Sequence, residues 1–130
     1  MRDDTIEDYC RAIMKHGDKD GARSSDIARE LELSRNTVAI TLRKLHEEGY
    51  IRMERYGRAR LADKGKKIAE EVNFRHRVLE TFLAEKLGMP ASKVHKQAHK
   101  LEHASSREMI ERLYVFLGKP KKDPHGKRIR

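Results

Sequence analysis

Three histidines and a glutamate, His95, His99, Glu102 and His103, stand at i, i+4, i+7 and i+8 in the stretch KVHKQAHKLEH. A helix brings that spacing onto one face. Imidazole nitrogens and a carboxylate gathered there are donors for a first-row transition metal. His76 and Glu80, at i, i+4, form a second pair upstream, and Asp8 offers a further carboxylate near the N-terminus. The stripe also contains His99-Lys100-Leu101-Glu102-His103, the H-x-x-E-H order of an inverted zinc peptidase. There Glu102 would be the general base and the two histidines the zinc ligands. Such a site needs a third protein ligand and a cleft, and only 27 residues (130 − 103) follow His103. A solvated or pH-sensitive histidine face is the plainer alternative. Ala98 and Leu101 argue against it, because they set the core side of the helix next to the candidate donors.

The elements that must position these groups are legible from period and punctuation. Ile6, Tyr9, Cys10, Ile13 and Met14 share a helical face over 4–16. HGDKDGARSS is a glycine-bearing loop. Ser24 or Ser25 is expected to cap a short helix, DIAREL. After the turn ELS, Ser34 is expected to cap a longer helix ended by Gly49, with Val38, Leu42 and Leu45 at helical spacing. The period then becomes two: Ile51, Met53 and Arg55 alternate with Arg52 and Glu54, Tyr56-Gly57-Arg58 turns, and 59–62 returns. A helix-turn-helix followed by a β-hairpin is a winged helix. Asp63 is expected to cap a long helix stopped by Gly88 and Pro90. A helix over about 91–104 carries the stripe, and Ser105 with Glu108 predicts a capping box for a final helix. The fold class is mainly α, with a winged helix over 1–62 and a helical metal-binding and dimerisation domain over 63–130 that ends in a basic tail.

The chain has 130 residues and a net charge of +9, a balance that favours an anionic partner, nucleic acid first. Aromatic residues are 5% with no Trp, which argues against base stacking on single strands. Cys10 is the single cysteine, so no internal disulfide can form, in keeping with a reducing cytoplasm. No apolar run approaches the roughly 20 residues of a membrane span, and MRDDTIEDYC does not read as a signal peptide. A cytoplasmic protein without membrane contact is expected.

In a helix-turn-helix the second helix enters the major groove by its N-terminal end. That end is Ser34, Arg35, Asn36 and Thr37: Arg35 suits a guanine edge, Asn36 an adenine edge, and the Thr37 methyl a thymine. Ser34 capping and Thr37 packing are compatible with those contacts. Arg43, Lys44, the wing residues Arg55, Arg58 and Arg60, and Ser25 at a helix start are candidate phosphate contacts. Leu79, Phe82, Leu83, Leu87, Ile110, Leu113 and Phe116 offer apolar faces to a second copy. A homodimer on a palindromic double-stranded operator follows from the usual symmetry of such readers.

The segments RHRVLETFL, KVHKQAHKLEH, SSREMIERL and LGKPKKDPHG resemble the diphtheria toxin repressor and manganese transport regulator family of metal-dependent transcriptional repressors. SDIARELELSRNTVAITLRKLHEEGYI and LADKGKKIA resemble its N-terminal domain, so the resemblance covers essentially the whole chain. It implies that Glu102 and His103 are ligands shared across the family. His99 falls where iron-type members have Cys and manganese-type members Glu; Asp8 falls where they have Met and Asp. His76, Glu80 and His95 match the ancillary site of iron-type members, and His76 also a manganese-type ligand. Arg11 replaces a second N-terminal carboxylate of manganese-type members, which departs from their binuclear geometry. No SH3-like C-terminal domain is expected. The implied function is a metal-gated repressor of metal-uptake genes, not an enzyme. Hard oxygen donors among imidazoles favour Mn(II) or Fe(II) as co-repressor, with Zn(II) or Co(II) able to substitute in vitro. A metal-independent winged-helix protein with an inert histidine stripe is the alternative, and an H-x-x-E-H hydrolase the remote one. Cys10, pointing away from Asp8 on a helix, reads as a packed apolar residue rather than a ligand.

Overall fold

The computed structural model describes residues 1–130. Helices α1 (Asp3–His16), α2 (Ser24–Leu31) and α3 (Arg35–Glu47) precede strands β1 (Ile51–Met53) and β2 (Ala59–Leu61). Helices α4 (Asp63–Glu85), α5 (Ala91–Glu102) and α6 (Arg107–Phe116) follow. The chain divides into two compact units, Met1–Glu70 and Glu71–Arg130.

In the first unit the alternating face of α1 and the apolar faces of α2 and α3 meet around Tyr9, Ile13, Ile27, Val38, Leu42, Leu45 and Ile51, all buried. Asp3 and Asp4 in the first turn of α1, and Lys15 and His16 in its last, oppose the helix dipole favourably. Ser34 caps α3, its side chain accepting from the Thr37 amide at 3.1 Å. Glu32, in the left-handed conformation at φ 55°, makes the turn between α2 and α3. The antiparallel wing pairs Ile51 with Leu61, Arg52 with Arg60 and Met53 with Ala59. Ala22 exchanges both backbone hydrogen bonds with Ala59, so the loop before α2 is stitched to the wing. This is the expected winged helix, with shorter strands. Arg55 lies in the turn rather than on β1, because Tyr56 and Gly57 both take positive φ and close the hairpin between Arg55 and Arg58.

Three cap assignments are corrected. Asp63 is the first residue of α4 and not its cap. Ser24 and Ser25 lie inside α2, whose N-cap is Arg23, with no side-chain cap; Asp26 remains in the first turn. Helix α6 is capped by Ser106, which accepts from the Met109 amide, whereas Ser105 donates back to the Leu101 carbonyl. With Ser106 at the cap, Glu108 falls at the second helical position, so no capping box forms.

The second unit packs α4 residues Val78, Leu79 and Leu83 with Val94 and Ala98 of α5 and Ile110 and Tyr114 of α6. Leu79, Leu83 and Ile110 are therefore consumed by this core and do not face a second copy. Leu87, Met109, Val115 and Phe116 are large apolar side chains of this unit left exposed; Leu101, expected on the core side of α5, is exposed too, and Val94 joins Ala98 on the buried side instead. The stretch expected to trail as a basic tail is folded. Lys122 and Arg128 form an antiparallel bridge, Asp123 accepts from the amides of His125 and Lys127, and Ile129 is buried in the core. No helix is long and apolar enough to cross a membrane.

Candidate metal centre and nucleic-acid face

Helix spacing places His76 and Glu80 on the same inner side of α4, where each is almost fully buried. His95 stands at the mouth of this cluster on α5, its side chain 56% exposed. His76 Nε2 lies 2.9 Å from Glu80 Oε1 and 3.2 Å from His95 Nδ1; His95 Nδ1 lies 3.8 Å from Glu80 Oε2. A metal about 2.1 Å from its ligands holds them about 3.0 Å apart at an octahedral edge and about 3.4 Å at a tetrahedral one. The observed separations bracket both, so these three donors fit a small divalent cation. They cannot all point at one without small rotations, because at present they point at one another.

The stripe on α5 is divided. Val94, Ala98 and Glu102 form the buried line of the helix, and Glu102 is wholly enclosed. Its Oε1 lies 3.2 Å from His76 Nδ1, and its backbone carbonyl accepts from Arg75 at 2.8 Å. His99 and His103 lie next to it, ring centroids 5.4 Å apart, with His99 exposed and His103 half-buried. The helix ends at Glu102, and His103 is its C-cap residue still in helical conformation. His76 thus links two groups of donors: His95 and Glu80 on one ring nitrogen, Glu102 on the other. A general base must reach an attacking water. Glu102, enclosed and turned to His76, does not meet that need, and the hydrolase alternative is abandoned.

One neighbour escaped the reading of the sequence. His125 Nε2 lies 3.1 Å from Glu80 Oε2, so the folded C-terminal turn adds a third imidazole around that carboxylate. The signal was D-P-H-G, a turn sequence carrying a metal-ligand residue type. Burial pushes the Glu80 carboxyl up, but hydrogen bonds and charge from His76 and His125 outweigh it and bring it down to about 2. Asp8 is half-buried on α1 in the first unit, four helical positions behind Ala12. Cys10 is fully buried; enclosure, then the charge of Glu7, pushes its thiol up to about 12. A thiol held neutral is a poor metal ligand, as expected.

In the first unit Arg35, Asn36, Arg43 and Lys44 are exposed on α3, as is Ile40. Ser34 and Thr37 are exposed but committed to the cap, the Ser34 hydroxyl donating to Thr37 Oγ1 at 2.9 Å. Ser25 is half-buried. The wing arginines differ among themselves. Arg55 is exposed, whereas Arg58 donates to the Gly21 carbonyl at 3.2 Å and Arg60 binds Glu54 at 3.3 Å and the Lys19 carbonyl. Arg58 and Arg60 brace the loop 18–21 against the wing.

Comparison with known proteins gives the same picture for both units. Residues 1–59 match the family described as iron dependent repressor, N-terminal DNA binding domain. Residues 62–130 match iron dependent repressor, metal binding and dimerisation domain. An uncharacterised HTH-type transcriptional regulator of Methanocaldococcus jannaschii is 33% identical over 118 residues, 88% of this chain and 94% of that protein. Among solved structures, a manganese-dependent transcriptional repressor in complex with manganese is 34% identical, with a TM-score of 0.84 over 95% of this chain. The manganese regulator SloR is 32% identical, with a TM-score of 0.85 over 95%. The chain spans 58% of the length of each of these two structures.

Proposed function

The chain belongs to the iron-dependent repressor family of metal-responsive DNA-binding regulators, and on that basis we propose that it represses transcription when loaded with Mn(II) or Fe(II). The single observation that carries this reading is the buried His76, holding Glu80 at 2.9 Å and Glu102 at 3.2 Å by its two ring nitrogens. Two carboxylates enclosed in one small core are costly without positive charge beside them. We assign His76, Glu80 and His95 to one ion, with His125 as a further donor. We assign His99, Glu102 and His103 to a second ion, and Asp8 to the same ion on the strength of the resemblance alone. The donor set is imidazole and carboxylate, harder than one containing Met or Cys, which supports manganese or iron; affinity alone would rank Zn(II) above both.

Bound metal supplies charge that offsets the buried carboxylates and crosslinks the helices carrying its donors. His76 and Glu80 sit on α4, the stripe on α5, and Asp8 on α1 of the DNA-binding domain, which we set at 1–62, with 63–130 the metal-binding and dimerisation domain. Tying α1 to the dimer would lower the ordering cost of presenting two α3 helices to a palindromic operator. Arg35 and Asn36 are the base readers we favour; Arg43, Lys44, Arg55 and the dipolar start of α2 at Ser25 take phosphates. Regulation of metal-uptake genes in the cytoplasm is the setting this chemistry suits.

The test is a duplex-binding titration with Mn(II), Fe(II), Co(II) and Zn(II), alongside metal analysis. Metal should raise affinity for a selected duplex by at least tenfold, and Glu102→Gln and Asp8→Ala should each abolish that stimulation. Equal binding with and without metal would instead favour a metal-independent winged-helix protein.

A further inference from the structure

Tyr56 stands at the tip of the wing, 95% exposed, with φ 62° and ψ 32°. A left-handed conformation is disfavoured for any residue with a Cβ, and glycine, asparagine or aspartate is the usual occupant of this turn position. The ring packs on nothing in its own chain, so tyrosine here brings neither turn stability nor core. A strained residue whose side chain the fold does not use is a sign of function. The charges around it are unequal. Glu54 is paired with Arg60, and Asp18 lies 3.8 Å from Arg58. Arg55 is left exposed beside the ring, and the hollow that Tyr56 borders holds Arg55, Arg58 and Arg60 against Asp20 and Glu54. The tip therefore presents one aromatic plane flanked by positive charge, on a projection two residues wide at its end.

We propose that Tyr56 is a DNA contact: its ring enters the minor groove beside the major-groove site of α3 and lies against the deoxyribose faces, with Arg55 on the flanking phosphate. This rests on the repressor reading above and extends it to a residue that reading leaves idle. A minor groove about 6 Å wide admits a ring edge-on but not a helix, and apolar side chains on narrow projections are a recurrent means of filling it. The contact would be uncharged and largely indifferent to sequence, sensing groove width rather than base identity.

The experiment uses the full chain loaded with Mn(II) and a duplex recovered from a randomised pool on the wild-type protein. Tyr56→Gly keeps the turn, because glycine prefers this conformation, so its thermal midpoint should equal or exceed that of the wild type. Its affinity should fall about tenfold, the effect of losing one aromatic contact with nucleic acid, with an unchanged salt slope. Tyr56→Phe should bind as wild type does. Hydroxyl-radical cleavage should show wild-type protection of minor-groove sugars that Y56G loses, while guanine N7 protection in the major groove persists. Y56G binding within twofold of wild type, or Y56F losing as much as Y56G, overturns the proposal alone. A wild-type protein that retains no duplex overturns the repressor reading and this one with it.

Discussion

His76 holds a carboxylate at each ring nitrogen, Glu102 at 3.2 Å and Glu80 at 2.9 Å. A metal-bound imidazole offers a lone pair rather than a proton, so metal loading of this cluster should release protons. The Glu80 carboxyl is brought down to about 2 against burial. Its folded value lies below the unfolded one of about 4.3, so the stability it contributes is present above pH 4.3 and is lost as pH falls toward 2. Acid denaturation of the metal-free protein should therefore steepen in that window. Glu80→Gln should flatten it, and should weaken Mn(II) binding at neutral pH by more than tenfold; an unaltered acid limb in E80Q would remove Glu80 from the account. A second carboxylate gives an independent check in the other unit. Burial raises Glu30, but hydrogen bonds and charge from His16 and Lys15 outweigh it and hold the group below its ordinary value. The bonds run at 2.8 and 3.0 Å. Glu30→Gln should abolish the part of the acid destabilisation that resides in α1 and α2, followed by amide exchange. Most of these donors were legible in the sequence, because i, i+4 pairs on helices need no tertiary knowledge. The division of the stripe was not, since it depends on which neighbour each residue meets: Glu102 turns inward to His76, while His99 meets the His103 ring on the exposed side. His125 was hidden for the same reason, lying 45 residues from Glu80 in sequence.

Element boundaries followed from period and punctuation wherever one residue type had one job to do. Ser34 had no rival as a cap, and the change from period 3.6 to period two at Ile51 marked the wing. Adjacent serines were ambiguous. Ser105 and Ser106 offer the same hydroxyl one residue apart, and the choice falls to the position whose backbone is extended, Ser106 at φ −72° and ψ 155°. Ser106→Ala should thus cost about 1 kcal/mol of stability, the usual value of an N-cap, and Ser105→Ala clearly less. Equal losses in urea denaturation would return the cap to Ser105. The start of α4 carries a tighter constraint. Gly65 is packed so closely that a methyl group there would collide with the Tyr50 carbonyl, a backbone atom that cannot swing aside. Lys64 fixes the same corner, donating to the Glu48 carbonyl at 3.2 Å and lying 4.0 Å over the Tyr50 ring. Gly65→Ala should cost about 1–3 kcal/mol; a wild-type denaturation midpoint would show that the corner yields. The C-terminal turn defeated composition altogether: lysines and arginines suggested a solvated tail, but Asp123 ties amides, Ile129 enters the core, His125 meets Glu80, and Arg130 lies over the Phe74 ring.

At the scale of the molecule the unmet need is a partner for apolar surface. Leu87, Met109, Val115 and Phe116 are 59%, 47%, 58% and 64% exposed, all in the second unit, in a chain that is 39% charged. Leu33, Ile40 and Met53 of the first unit are exposed as well, but the family domain that matches the second unit is a dimerisation domain, which points to its apolar set as an interface. Leu79, Leu83 and Ile110 are consumed by the core, so the expected dimer face is the exposed side of α6. Phe116→Glu would bury a charge in that interface and should yield monomers at micromolar concentration by sedimentation. Phe116 stands outside the His76–Glu80 cluster, so Mn(II) binding by the His76, Glu80 and His95 donors should survive. Affinity for a palindromic duplex should fall by about 10²–10⁴, because two linked heads gain that much over one, while affinity for a half-site should change little. A variant that stays dimeric would move the interface elsewhere. One that becomes monomeric yet keeps full palindrome affinity would break the link between pairing of the second unit and operator recognition by the first.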